Sequence, residues 1–385
     1  MKRIWGIILS AALVLGYLPT TVTAAELDVA GKSAVLMDVA TGTVLYEKNP
    51  HEPLAPASVT KVMTLLLIME AIAEGRIGWD DSVTASEAAA AKGGSQVYLK
   101  VGETMSVTDM VKSIAVSSAN DCACAMAEHI AGSESAFVDR MNSRAAELGM
   151  QDTHFVNCTG LDDSEEAKEH RTSAHDIALM SRQLLKYHPE ITKFTTIWMD
   201  TVRDGAFGLS NTNKMVRFYS GCTGLKTGFT SGAGYCLSAS AKRDGLELVA
   251  VVMGCETSQE RFAACKSMLD HGFANYALVS PQPEGNWQVS VTLGKEKSVT
   301  AMPGEETQLL IDKGQRDRVT TEVTLDESVQ APVSQGQKLG TMTIRAGEQV
   351  LSQISMVAKE AVERLSWGDL VLLVLRRVAM AKEPV

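Results

Sequence analysis

Three short groups of residues in this chain carry side chains that could act together on an amide bond. Ser58 and Lys61 stand three apart in Pro56-Ala57-Ser58-Val59-Thr60-Lys61. A serine hydroxyl is a weak nucleophile until a neighbour removes its proton, and a lysine can do this once burial and nearby cations lower its pKa toward neutrality. Ser118-Ala119-Asn120 adds a hydroxyl able to relay a proton to a leaving nitrogen and an amide able to hold a substrate amide. Lys226-Thr227-Gly228 adds a cation and a hydroxyl for an anion, beside a glycine against which a ligand can lie. Each group alone has a plainer explanation: a helix cap for the first two, an edge strand with a bulge for the third. Their order and setting point to chemistry, with the first group opening the longest apolar helix and the last on a late strand.

These side chains need elements that bring them together. Pro56 restricts the backbone just upstream of Ser58, and Met63, Leu66, Leu67 and Met69 recur as in a helix, so Ser58 sits where a turn hands over to a helix and Lys61 shares its face. Strand-like runs at 34–38 and 43–46, parted by Ala40-Thr41-Gly42, predict a hairpin. The spacing predicts helices over 63–74, 107–116, 121–130, 135–148 and 174–185, punctuated by Gly93-Gly94, Gly102, Gly132 and Gly149. Strand signals return over 224–230, 234–241 and 246–253, and a helix over 259–276 closes the unit. Strands at both ends with helices between describe an α/β sandwich in which the first and last strands share one sheet. Ser280-Pro281-Gln282-Pro283-Glu284-Gly285 reads as a linker, and alternating runs at 287–293, 319–325 and 339–344 predict a small β domain. In the final segment Trp367, Leu370, Val371, Val374 and Val378 keep helical spacing beside Arg376 and Arg377. The unbroken apolar run from Leu370 to Leu375 is far short of the about 20 residues a bilayer needs, so an interfacial amphipathic helix on a membrane surface is expected. The expected division is 1–24, 25–279, 280–355 and 356–385.

Composition bounds the rest. The chain has 385 residues, 45% hydrophobic and 21% charged, which is ordinary for globular protein and enough for two domains. Met1-Lys2-Arg3, the apolar stretch from Ile4 to Leu18, Pro19 and Val22-Thr23-Ala24 fit a secretory signal peptide, predicting an exported protein. Its removal takes away Lys2 and Arg3 and no acid, moving the formal charge from -10 to -12 and arguing against nucleic acid as a partner. The seven cysteines are odd in number and irregular in spacing, which speaks against a disulfide framework, and most read as small buried side chains. Cys122 and Cys124 are too close for a common zinc knuckle without a second pair, and a spacing of five puts His170 and His175, with Asp176, on different faces of a helix. No metal and no cofactor are expected.

With these residues in view, the chain resembles a low-molecular-weight penicillin-binding protein, a serine-type D-alanyl-D-alanine carboxypeptidase with a β-rich second domain and a C-terminal amphipathic anchor. The likeness rests on Ser58-Val59-Thr60-Lys61, Gly94-Ser95 with Leu99 and Gly102-Glu103, Ser117-Ser118-Ala119-Asn120-Asp121, Phe155-Val156-Asn157 with Gly160-Leu161, and Gly224-Leu225-Lys226-Thr227-Gly228-Phe229-Thr230. It implies a β-lactamase/DD-peptidase-like sandwich, a helical cluster on a mainly antiparallel sheet. It also implies that Ser58 is the acylated nucleophile, Lys61 its base, Ser118 and Asn120 second-group residues, and Lys226, Thr227 and Gly228 third-group residues. Backbone N–H groups of Ser58 and Phe229 would form the oxyanion hole, and Arg261 would hold the substrate's terminal carboxylate. The substrate implied is the D-Ala-D-Ala end of peptidoglycan stem peptides, with β-lactams as covalent inhibitors, at the outer face of the cytoplasmic membrane. Asn157-Cys158 departs from an expected Asn-Pro, which bears on loop geometry, and Cys222 and Cys236 flank the third group, which implies thiol sensitivity. A class A-like β-lactamase would add a deacylating glutamate in an E-x-L-N segment. None lies between the second and third groups, where Asp162-Asp163 and Glu165-Glu166 read as a solvated loop. A non-catalytic, membrane-anchored wall-binding module would not need Ser58, Lys61 and Lys226.

Overall fold

The computed structural model describes residues 27–380, without the side chains of 377–380. The leader read at 1–24 lies outside the described residues. Strand β1 (Ser33–Asp38) is buried along its whole length and pairs with β2 (Val44–Lys48) in the expected hairpin. A 3₁₀ turn at Ala57–Thr60 then leads into α1 (Lys61–Ala73), where every residue from Lys61 to Met69 is buried. A helix apolar on nearly all sides is a core helix, and α1 is the axis of the helical cluster.

Around α1 lie α2 (Val107–Ser117), α3 (Asn120–Ala131), α4 (Glu134–Glu147) and α5 (Ala174–Tyr187). Side chains of Ser106, Ser133 and Ser173 accept from backbone N–H groups in the first turns of α2, α4 and α5, which fixes where these helices begin. Then come β3 (Cys222–Thr230), β4 (Gly234–Arg243) and β5 (Leu246–Cys255), an antiparallel meander whose last strand pairs with β1, Val35 opposite Val251. The sheet order is β2-β1-β5-β4-β3, so the earliest and latest strands share one sheet and β3 is left as an edge. Helix α6 (Ser258–Asn275), opened by a Thr257/Glu260 capping box, packs on the other face. Side chains alternate through β1 and β5: Val35, Met37, Val249 and Val251 join the core under the helical cluster, while Leu36, Leu248 and Ala250 meet Met268 and Leu269 of α6.

After α6 come the strands β6 (Tyr276–Val279), β7 (Gln288–Thr292), β8 (Ser298–Pro303), β9 (Leu309–Asp312), β10 (Val319–Leu325), β11 (Ser328–Gln330), β12 (Lys338–Ala346) and β13 (Gln349–Ala358). Six form a sheet in the order β10-β12-β13-β8-β7-β11 over a separate core that includes Val289, Leu339, Met342, Ile354 and Met356.

Two boundaries differ from the sequence reading. Residues 276–279 form a strand, β6, paired antiparallel with β9. Tyr-Ala-Leu-Val has no alternation and follows α6 directly, so its pattern did not mark it off from the helix. The tail read as helical from 356 instead completes β13, because Met356 and Ala358 continue its inward alternation, and α7 spans Trp367–Met380. Trp367 and Val371 to Leu375 are exposed on α7, and no helix among the described residues is long and apolar enough to cross a membrane.

Candidate active site

Ser58 is the second residue of the 3₁₀ turn, where residues three apart eclipse. Lys61, the first residue of α1, therefore points straight back at it: Nζ donates to Ser58 Oγ at 2.9 Å and to the Thr159 carbonyl at 2.8 Å. Ser58 is half-buried, whereas Lys61 is fully buried. Burial pushes the Lys61 amine down to about 7, against the pull of Cys158 and of the Asp121 carboxylate. Near neutral pH a large share of that amine holds a lone pair able to take the serine proton.

The turn is braced from behind. Thr60 Oγ1 donates to the Ala57 carbonyl at 2.8 Å and lies 2.8 Å from His170 Nε2. Since the Val156 N–H donates to His170 Nδ1 at 3.0 Å, the ring proton sits on Nε2 and is donated to Thr60. Burial, with His154 and Lys61 nearby, lowers His170 to about 4 and keeps the ring neutral. Gly160, at φ +81°, lies so close that a Cβ there would fall 1.8 Å from the Ala57 carbonyl oxygen. Its loop is ordered by Asn157 Oδ1, which accepts from Thr159 N, Thr159 Oγ1 and Gly160 N.

The second group occupies the joint between α2 and α3. Ser118 is in the left-handed region at φ +64°, and the reversal places Asn120 as the first residue of α3. Asn120 donates through Nδ2 to the Gly93 carbonyl and through its backbone N–H to the Ser95 carbonyl, each at 2.7 Å. Asp121 accepts from Val97 N and Leu99 N, which fixes the loop carrying Gly93 and Ser95. Ser118 Oγ and Asn120 Oδ1 are buried with no protein partner among the described residues, leaving one hydroxyl and one carbonyl oxygen for a bound substrate.

The third group lies on edge strand β3. A Cβ at Gly228 would fall 2.6 Å from the Pro56 carbonyl oxygen and 3.1 Å from the Ser58 nitrogen, so the strand lies directly against the turn that carries Ser58. Lys226 is buried and donates to the Thr227 carbonyl at 3.0 Å; burial and the Lys61 and Arg261 cations push its pKa well down. Thr227 Oγ1 donates to Thr212 Oγ1 at 2.6 Å. Phe229 is exposed and stacks on Tyr235 with centroids 4.2 Å apart. Arg261, on the first turn of α6, donates through Nη1 to the Gly228 and Cys236 carbonyls and through Nη2 to Ser258 Oγ. Its fork is engaged with the backbone of β3 and β4, so at this position it braces Gly228 and lends the cleft its charge.

A cleft of about 650 Å³ is lined by Pro53, Leu54, Asp162, Glu165, His170 and Gly232 among others; it meets the site only through His170 and holds no residue of the three groups. His170 precedes α5 and does not share a helix with His175. Among the described residues no group of three or more His, Cys, Asp and Glu is placed to hold a metal ion.

Sequence reasoning did not find the Thr159 carbonyl, the Thr60–His170 brace or Thr212. A carbonyl acceptor has no sequence signature, and His170 reaches Thr60 across 110 positions of chain.

Residues 20–257 match the family model described as D-alanyl-D-alanine carboxypeptidase, and residues 282–364 match that of the penicillin-binding protein 5 C-terminal domain. The chain is 43% identical over 377 residues to D-alanyl-D-alanine carboxypeptidase DacF of Bacillus subtilis, covering 94% of this chain and 95% of that protein. It is 33% identical to DacC of Escherichia coli over 89% of this chain and 86% of the other. Penicillin-binding protein 5 from Haemophilus influenzae superposes with a TM-score of 0.75 at 30% identity, over 88% of this chain and 98% of that one. Penicillin-binding protein D2 from Listeria monocytogenes, solved in its ampicillin-bound form, does so with a TM-score of 0.59 at 31% identity, over 64% and 99%.

Proposed function

The chain belongs to the D-alanyl-D-alanine carboxypeptidase family and is a serine-type hydrolase that binds penicillin, and from that premise we propose how its own residues carry the reaction. Neutral Lys61 takes the proton of Ser58 Oγ, which attacks the carbonyl of the terminal D-Ala-D-Ala bond of a peptidoglycan stem peptide. The Ser58 and Phe229 backbone N–H groups receive the developing oxyanion. Ser118 passes a proton to the leaving nitrogen, D-alanine departs, and water releases the acyl group from Ser58. Asn120 holds the substrate amide, Lys226 and Thr227 meet its terminal carboxylate, and Gly228 leaves room for the peptide beside β3. Arg261 supports that carboxylate through its charge and its grip on Gly228. A β-lactam enters the same path and stays on Ser58.

The observation carrying this reading is the 2.9 Å Lys61–Ser58 contact beneath Gly228, with the lysine held near neutrality. Incubating the purified protein with a D-Ala-D-Ala peptide should release D-alanine, and activity surviving in Ser58→Ala would refute the assignment.

We further propose a division into a leader (1–24), a peptidase unit (25–279), a β domain that runs from 280 past the end of β13 at Ala358, and a terminal segment whose helix lies on the outer face of the cytoplasmic membrane. The exposed Trp367 and Val371 to Leu375, with Arg376 and Arg377 adjoining, support the last of these.

A further inference from the structure

Two cysteines that the reaction does not use meet behind the loop that holds Lys61. Cys124 on α3 and Cys158 in the loop before Thr159 are both reduced and fully buried. Their thiols converge on one carboxylate: Cys158 Sγ donates to Glu134 Oε1 at 3.2 Å and Cys124 Sγ to Glu134 Oε2 at 3.7 Å. The two thiols thus share the two oxygens of one carboxylate, and the neighbouring Cys124 together with burial holds the Cys158 thiol well above its usual range. Lys92 pairs with Glu134 at 2.5 Å, and these two side chains, 24% and 22% exposed, are where the cluster meets solvent, the thiols themselves being fully buried.

We propose that Cys124 and Cys158 are an oxidisable pair, and that a disulfide between them slows acylation of Ser58 by drawing the Thr159 carbonyl away from Lys61. The effect on acylation rests on the Ser58–Lys61 reading; the bond itself does not. A disulfide needs sulfurs about 2 Å apart, well inside the contact distance of two thiols, so one sulfur must move toward the other. Helix α3 is buried from Asn120 through Ala127 and cannot follow, whereas Cys158 lies in a loop. The Cys158 carbonyl accepts from Thr64 Oγ1 at 2.6 Å and the next carbonyl, of Thr159, from Lys61 Nζ at 2.8 Å, so the loop's tie to α1 and the acceptor of Lys61 move with that sulfur.

With a small peroxide as oxidant the step balances. The Cys158 sulfur attacks one peroxide oxygen as its proton passes by way of Glu134 to the departing oxygen, breaking the O–O bond to give a sulfenic acid and water. The Cys124 sulfur then attacks that sulfur and expels the second water. Two thiols lose two electrons and two protons, and one peroxide becomes two waters.

The test treats the reduced full-length protein with hydrogen peroxide, maps cross-linked peptides by mass, and follows acylation by a fluorescent penicillin. The expected result is a Cys124–Cys158 peptide lighter by two hydrogens, with acylation slower by about tenfold or more, since misplacement on the order of 1 Å can cost 100-fold. A dithiol reductant should restore the rate, and Cys124→Ala should acylate normally and ignore the oxidant. Absence of the link at doses that oxidise exposed methionines, a link without slower acylation, or slowing that persists in Cys124→Ala would each overturn the proposal. Failure of the reduced protein to take up penicillin would instead count against Ser58, while the mass map would still report on the cysteines.

Discussion

Replacing Gly228 by alanine adds one methyl group at the closest approach between the peptidase's latest and earliest segments. Its carbon would fall 2.6 Å from the Pro56 carbonyl oxygen, 3.1 Å from the Ser58 nitrogen and 3.1 Å from Val59 Cγ2, where ordinary contact begins near 3.4 Å. The strand is fixed by its pairing with β4 and the turn by Gly160 and the Thr60–His170 contact, so the two must separate by about 0.8 Å at the tightest contact. That opens the gap across which the Ser58 and Phe229 N–H groups are to share one oxyanion. Loss of one such donor costs about 10²–10³ in rate, and a displacement on the order of 1 Å can cost 100-fold, so acylation should fall about 100-fold, or about 2.7 kcal/mol of transition-state stabilisation. The fold should survive, because overpacking of this size costs about 1–3 kcal/mol. The assay is the acylation rate with a fluorescent penicillin, with melting temperature measured in parallel. A Gly228→Ala protein that acylates within about threefold of the parent would refute the contact between the third group and the nucleophile's turn.

Other consequences follow from the same geometry. Acylation should rise about tenfold per pH unit up to about 7 and level off above, as Lys61 loses its proton; a profile flat from pH 5 to 8 would remove Lys61 as the base. His170 is held at about 4, below its ordinary 6.5, so between those values the unfolded chain binds the extra proton. Its contribution is full above pH 6.5 and shrinks as pH falls toward 4, by up to about 3 kcal/mol, and urea midpoints should decline over that window with a shallower slope in His170→Gln. Ending the chain at Leu365 keeps the Val333–Val362 and Gly294–Arg364 bridges and should yield a folded protein that no longer sediments with anionic vesicles; undiminished sedimentation would exclude α7 as the anchor.

Much of this architecture was legible because local pattern and tertiary role agree. Val319, Thr321, Val323 and Leu325 alternate and form β10, while the runs at 107–116 and 174–185 have one apolar face and become α2 and α5. Pattern failed where an element is too short to show a period, as in β6, or where strand and helix signals abut, as at 356–367. In the site, side chains within a few positions of one another could be read together, because a 3₁₀ turn or a helix joint sets their spacing. That Gly228 lies against Ser58 is signalled only by the order of the three groups, since 170 residues separate them. Gly160 over Ala57, Thr159 under Lys61 and His170 behind Thr60 are products of packing, and a sequence records no distance between a loop and a turn.

The most direct test of the central claim is to react the full-length protein with a penicillin, digest it and find by mass which residue bears the intact adduct. One adduct on the peptide carrying Ser58, absent in Ser58→Ala, is the outcome predicted here. An adduct on any other residue, or one that persists after that substitution, would contradict the claim that the hydroxyl beside Lys61 performs the chemistry.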